Sequence, residues 1–190
     1  MVRYGCQRCY SRRGTAVNKQ LCVTPVANEE PEIGRWLWAL EDVRSKLLER
    51  LDGISQTMLD ARIEGSTSIG SLLYHIASVE AGWLHYDILG TSPPSEIETL
   101  FPVEPWSEEG VLTHIEGQSI DEHLHRLSTV RQVFLSHFKP MTLTDWRTPR
   151  ANAEEGYEVT PEWVVYHLIE HEAQHRGQIF QQLRQLAKPQ

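Results

Sequence analysis

Thr160-Pro161-Glu162-Trp163-Val164-Val165-Tyr166-His167-Leu168-Ile169-Glu170-His171-Glu172-Ala173-Gln174-His175-Arg176-Gly177-Gln178-Ile179 carries the strongest signal in the chain. It opens with an N-cap hydroxyl, a proline suited to the first helical position and an acid in the first turn. Val164, His167, Leu168, His171, His175, Ile179, Gln182, Leu183 and Leu186 then recur at three- and four-residue steps, so they share one side of a long helix. Pro189 marks its expected end. On that side His171 and His175 lie ~6 Å apart along the axis, close enough to chelate one divalent ion at ~2.0–2.1 Å per bond. His167 offers a competing pair with His171. It is ~12 Å of axis from His175, so the three cannot share one ion, and His167 is read as supporting or core.

Three more stretches show the same periodicity. From Pro31 to Leu51 the apolar residues are Ile33, Leu37, Leu40, Val43, Leu47, Leu48 and Leu51, with Asp52-Gly53 as a stop. From Ser68 to Leu89 the stripe is Leu72, His75, Ile76, Val79, Trp83 and Tyr86, with Gly90 and Pro93-Pro94 behind it. From Ser119, where Ser119 and Glu122 fit a capping box, Ile120, Leu124, Leu127, Val130, Phe134, Leu135 and Phe138 line one face until Pro140. Residues 91–118 and 140–159 are rich in Pro, Gly, Thr and acids and read as long connections, with a short strand allowed around Val103 or Val111. The expected fold is therefore all-α, a four-helix bundle with long loops able to cover one end.

His75 interrupts the apolar stripe of the second helix, between Leu72 and Val79. Alone it reads as a core histidine whose ring nitrogens find hydrogen bonds. With the pair on the last helix it completes a three-histidine set that leaves a coordination position open. His85, His114, His123, His125 and His137 read as surface or loop residues. His171-Glu172-Ala173-Gln174-His175 also satisfies H-E-x-x-H, the zinc-peptidase pattern in which the glutamate is the general base. Its surroundings do not fit: Gln178 stands where the extended motif has glycine, no acid after Glu172 offers a third ligand, and no sheet precedes the helix. Glu172 is ~100° round the helix from His171 and reads as solvent-facing.

Charge divides the chain. The first 28 residues carry +5 and no acid, out of a total of −8, which leaves −13 on the other 162. All three cysteines, Cys6, Cys9 and Cys22, lie in that leader, which shows no periodicity and no apolar signal-peptide core. Cys6-x-x-Cys9 lacks the second pair of a zinc knuckle and the βαβ setting of a redox motif. Residues 1–28 are thus expected to be a disordered basic extension, and 29–190 the folded domain. A body without cysteine points to a reducing cytoplasm. The acidic body opposes nucleic acid or anionic membranes as partners, and no apolar run reaches the ~18–20 residues of a bilayer span.

Ser68-Ile-Gly-Ser-Leu-Leu-Tyr-His75-Ile-Ala-Ser-Val-Glu80-Ala-Gly-Trp83, together with the stretch from Thr160, resembles the paired helix motifs of the DinB-like superfamily. That superfamily includes the bacillithiol- and mycothiol-dependent transferases. The resemblance spans roughly residues 29–187 and is sharpest at H-E-A-Q-H-R-G-Q. It implies an up-down-down-up four-helix bundle, often a homodimer, holding a divalent ion, commonly zinc or nickel, on three histidines. Those histidines are His75, His171 and His175. Gly177 would allow close helix approach, and Arg176 and Gln178 would support the site. The implied function is a metal-dependent thiol S-transferase or isomerase acting on a small-molecule substrate with bacillithiol, mycothiol or glutathione as co-substrate. Metal-dependent hydrolysis and a non-catalytic, stress-related metal-binding bundle are the competing readings.

Overall fold

Proline at the first helical position starts α1 at Pro31–Leu51, which buries Ile33, Leu37, Leu40, Val43, Leu47 and Leu51. The computed structural model describes residues 21–28, 30–63, 65–152 and 156–187. A short α2 (Gln56–Asp60) follows. Ser68 accepts from the Ser71 amide at 3.2 Å to cap α3 (Ile69–Gly82). That helix runs on as a π-helical segment, Trp83–Leu89, closed by Gly90 at φ +65°. After the one-turn α4 (Ser95–Glu98), the expected capping box forms: Glu122 N–H donates to Ser119 Oγ at 3.3 Å and Ser119 N–H to Glu122 Oε2 at 2.7 Å. It opens α5 (Ile120–Phe138). Thr142 and Asp145 cap α6 (Leu143–Arg147) in the same reciprocal way. Strands β1 (Arg150–Asn152) and β2 (Tyr157–Val159) pair antiparallel, Arg150 opposite Val159. Thr160 then caps α7 (Pro161–Leu186), accepting from Trp163 N–H at 3.1 Å.

The mostly helical class is the one the periodicity implies. α1 packs on α7, and α3 packs on both α5 and α7. Two apolar clusters give the helix directions. Ile33, Leu37 and Leu40 from the first half of α1 meet Val164, Val165 and Leu168 from the start of α7. They share that cluster with Leu84 and Ile88 beyond α3 and with Phe134 and Phe138 at the end of α5. At the other end Leu47 and Leu51 meet Ile179, together with Ile69, Leu72 and Leu73 from the start of α3 and Leu127 of α5. So α1 and α7 run one way, and α3 and α5 run the other. Among the described residues no helix is long and apolar enough to cross a membrane.

Four details depart from expectation. The π-helical segment turns less per residue than an α-helix, so Tyr86 leaves the inward stripe and is 55% exposed, while His85 and Asp87 take buried positions. Asp87 repays the change by accepting from Asn152 Nδ2 at 2.9 Å and Tyr157 Oη at 2.7 Å. The hairpin lies in the second long connection, and in the first the sole strand-like pairing among the described residues is an isolated bridge between Trp106 and Leu112, beside Val111. The fold also begins before residue 29. Val26 N–H donates to the Gly34 carbonyl at 2.9 Å, Asn28 Nδ2 donates to Lys139 O at 2.7 Å, and a Cβ at Gly34 would come 2.5 Å from Val26 O. Residues 26–28 thus belong with α1. Cys6-x-x-Cys9 and the rest of 1–20 lie outside the described residues, while Cys22 is exposed.

Candidate metal centre

α3 brings His75 to within reach of the two histidines that α7 presents four residues apart. His171 Nε2 lies 3.0 Å from His75 Nε2 and 3.1 Å from His175 Nε2. One ligand nitrogen from each of the three falls within 4.8 Å of the others. Two nitrogens bound ~2.1 Å from one ion sit ~3.0 Å apart at a right angle and ~3.4 Å apart at the tetrahedral angle. The observed spacing fits ligands to one cation. Hydrogen bonding alone does not account for it, because Nε2 of a neutral imidazole has either one proton or one lone pair and His171 Nε2 faces two partners. Among the described residues buried His75 Nδ1 has no hydrogen-bond partner, so this ring is not held by the satisfied network of an ordinary core histidine.

All three rings are held neutral. Burial, then the His175 charge, lowers His75 to about 4; burial, then His175, His75 and His167, lowers His171 to about 3. Burial also lowers His175, against a raising contribution from Gln178. Neutral imidazoles bind a metal without first losing a proton. His123, in the first turn of α5 and outside the cluster, is likewise lowered to about 4, by burial and then Arg126. In the unfolded chain these histidines titrate near the ordinary ~6.5. Between pH ~6.5 and ~4 the unfolded state therefore binds more protons, and stability falls as pH falls through that window. Urea midpoints of the metal-free protein at pH 7.5, 6 and 4.5 are expected to decline in that order; a flat or rising series would contradict the buried, neutral assignment.

The surroundings orient the cluster. His175 Nδ1–H donates to Gln178 Oε1 at 2.8 Å, which leaves the Nε2 lone pair facing the other two rings. Gln178→Leu is expected to weaken metal binding by about tenfold to a hundredfold, read by chelator competition, with the fold intact because Gln178 is exposed. Trp106, from the first long connection, meets His75 edge-on with ring centres 5.0 Å apart. His167 stands outside the trio, its ring centre 5.9 Å from that of His171, stacked on Trp163 at 5.0 Å. Gly177 does not serve helix approach: a Cβ there would meet nothing within 4 Å. Trp83 and Trp163 line one pocket, and Trp36 and Trp38 line another with Val23 and Arg35.

Glu172 is the main correction. It is 2% exposed, not solvent-facing. Arg44 Nε donates to Glu172 Oε1 at 2.5 Å, and Arg44 Nη2 and Arg131 Nη2 donate to Oε2 at 3.1 and 3.0 Å. Glu80 accepts from Arg131 Nε at 2.5 Å, Arg131 Nη2 at 3.0 Å and Arg44 Nη2 at 2.9 Å. Two guanidiniums and two carboxylates, one from each long helix, thus form a closed ionic knot, with Glu41 accepting a further bond from Arg131 at 2.7 Å. Burial would raise the Glu80 carboxyl, but Arg131 and Arg44 outweigh it and hold it below its ordinary value. With both oxygens engaged by cations, Glu172 is not the general base that an H-E-x-x-H peptidase requires. His85 and His123, read as surface, are also buried. Arg126 Nη1 donates to His123 Nδ1 at 3.1 Å.

The family model of the DinB superfamily matches residues 39–179, a span that contains His75, His171, His175 and the whole knot. No curated protein sequence matches the chain significantly. The match covers most of the folded body, and by it this chain belongs to the DinB superfamily.

Proposed function

We propose that the protein is a metal-dependent thiol S-transferase or isomerase, with zinc or nickel held by His75, His171 and His175 and a low-molecular-weight thiol as co-substrate. The observation that carries this reading is the convergence of three neutral imidazoles on one point, with His171 Nε2 facing the other two. His75, His171 and His175 would hold a divalent ion without neutralising its +2 charge, and the ion would supply stabilisation of a thiolate at neutral pH. The chain's own residues then do the rest. Gln178 fixes the His175 tautomer. Trp106 meets His75 edge-on, and His167, backed by Trp163, lies next to His171. The acid next to His171 is committed to the knot, and among the described residues the metal-competent group contains no carboxylate. This favours a nucleophile generated without a protein base.

The test is a panel of bacillithiol, mycothiol and glutathione against alkylating and epoxide electrophiles, with the zinc- and nickel-loaded protein. Thiol-dependent turnover, lost in His75→Ala with helical content retained, is the expected result. Turnover of ester or amide substrates in the absence of thiol would replace this reading with metal-assisted hydrolysis. Silence across the panel by a fully loaded protein would leave a metal-binding bundle without catalysis. A homodimer is proposed with the transferase reading, and light scattering on the loaded protein checks it.

A further inference from the structure

Across His167 from the metal cluster lies a pocket of ≈ 360 Å³ that metal binding does not use, lined by Trp83, Tyr157, Glu158, Val159, Thr160 and Trp163. Its rings meet at angles. Trp83 and Trp163 have centres 5.4 Å apart at 62°, and Trp83 and Tyr157 6.2 Å apart at 42°. Neither pair is the parallel slot that a flat ring would need. Trp163 is 44% and Tyr157 37% exposed, a costly display of aromatic surface. Both are nonetheless held in place. His167 stacks on one face of Trp163 within 3° of parallel, and Tyr157 Oη donates to buried Asp87 at 2.7 Å. The π-helical turn that carries Asp87 inward therefore also fixes the far wall of the pocket. Among the described residues Glu158 is the only charged one that lines it, and no lysine or arginine does.

Aromatic faces carry negative electrostatic potential, and a space lined by three aromatic residues and a glutamate favours a cation over a neutral group. We propose that this pocket binds an ammonium group, the cationic end of a substrate whose reactive end reaches the metal. Trp83 and His167 have ring centres 5.1 Å apart, and His167 is in turn the neighbour of His171, so the pocket and the cluster are joined by one row of rings. The ammonium site stands on the pocket alone; only the reach to the metal rests on the proposed function.

Proton NMR tests it with choline and with 3,3-dimethylbutan-1-ol, its uncharged isostere, on metal-free and zinc-loaded protein. The N-methyl signal of choline is expected to move upfield and to saturate in both forms, because ring currents shield a group held over aromatic faces. The neutral isostere should bind about tenfold more weakly. Trp163→Ala should abolish the shift and Glu158→Gln should weaken it several-fold; both side chains are exposed, and circular dichroism confirms the fold. Equal binding of the isostere, an unmoved choline signal, or an unchanged shift in Trp163→Ala would overturn the proposal. Choline binding by a protein that takes up no metal would overturn the metal reading and keep this one; metal uptake without choline binding would do the reverse.

Discussion

Arg131→Met is expected to cost about 3–5 kcal/mol, a large share of the ~5–15 kcal/mol that holds a domain of this size together. Arg131 gives Glu80 two bonds, Glu172 one, Glu41 one and the Leu40 carbonyl one at 3.2 Å. Without it, two buried carboxylates share the single guanidinium of Arg44. Water cannot reach them, so the excess negative charge is left uncompensated. The variant should relieve this by taking up a proton, which gives its defect a pH signature. A carboxyl whose folded pKa rises above the unfolded ~4.3 costs nothing at low pH and progressively more as pH climbs through the folded value. The gap between the wild-type and variant urea midpoints should therefore be narrow near pH 5 and wide near pH 8. Arg131→Met/Glu80→Leu removes one charge of each sign and leaves the Arg44–Glu172 pair intact, so it should recover much of the loss. A single variant within about 1 kcal/mol of wild type, with no dependence on pH, would show that the knot is not buried charge.

That knot marks where the sequence was legible and where it was not. All four long helices follow from spacing and start signals, because an apolar stripe, the first-turn proline of α1 and the N-cap hydroxyls of the other three are local. The knot is written in the same stripes. Arg44 is four residues after Leu40, Glu80 four after Ile76, Arg131 four after Leu127, and Glu172 four after Leu168. Two cations and two anions at core positions, one per helix, point to a shared ionic centre, but their pairing becomes visible only once the helices are set side by side. The metal cluster was easier to read, since two of its members lie one turn apart and the third breaks an apolar stripe. The π-helical turn left no local trace; what sustains it is Asp87 meeting Tyr157 and Asn152 from a hairpin some seventy residues on. His123 was misread for the same reason. Its partner Arg126 is one turn on along α5 itself, but its burial comes from α3, where the Cβ position of Gly70 lies 3.2 Å from its Nε2.

His171→Ala should invert the relation between metal and stability. A ligand that binds only the folded state stabilises it by about 4 kcal/mol at a thousandfold excess over its dissociation constant. At about 2–4 °C per kcal/mol for a domain of this length, saturating zinc or nickel should raise the wild-type melting temperature by on the order of 10 °C. His171 is the hinge of the cluster, its Nε2 within 3.1 Å of both other rings' Nε2. Removing it leaves two histidines on different helices, and the metal-induced rise should vanish along with about one ion per chain of bound metal. The metal-free proteins should rank the other way. Without a cation, His171 Nε2 can satisfy only one of its two facing nitrogens, and burial lowers the ring to about 3, so the site is a local cost to the apo fold. Alanine removes that cost, and because the residue is only partly buried the space left is open to water. Metal-free His171→Ala should therefore melt at or above metal-free wild type and show a shallower loss of stability between pH ~6.5 and ~4. If the variant were less stable than wild type without metal, yet gained as much from zinc, His171 would be a packing residue and the three rings would not be a shared metal site.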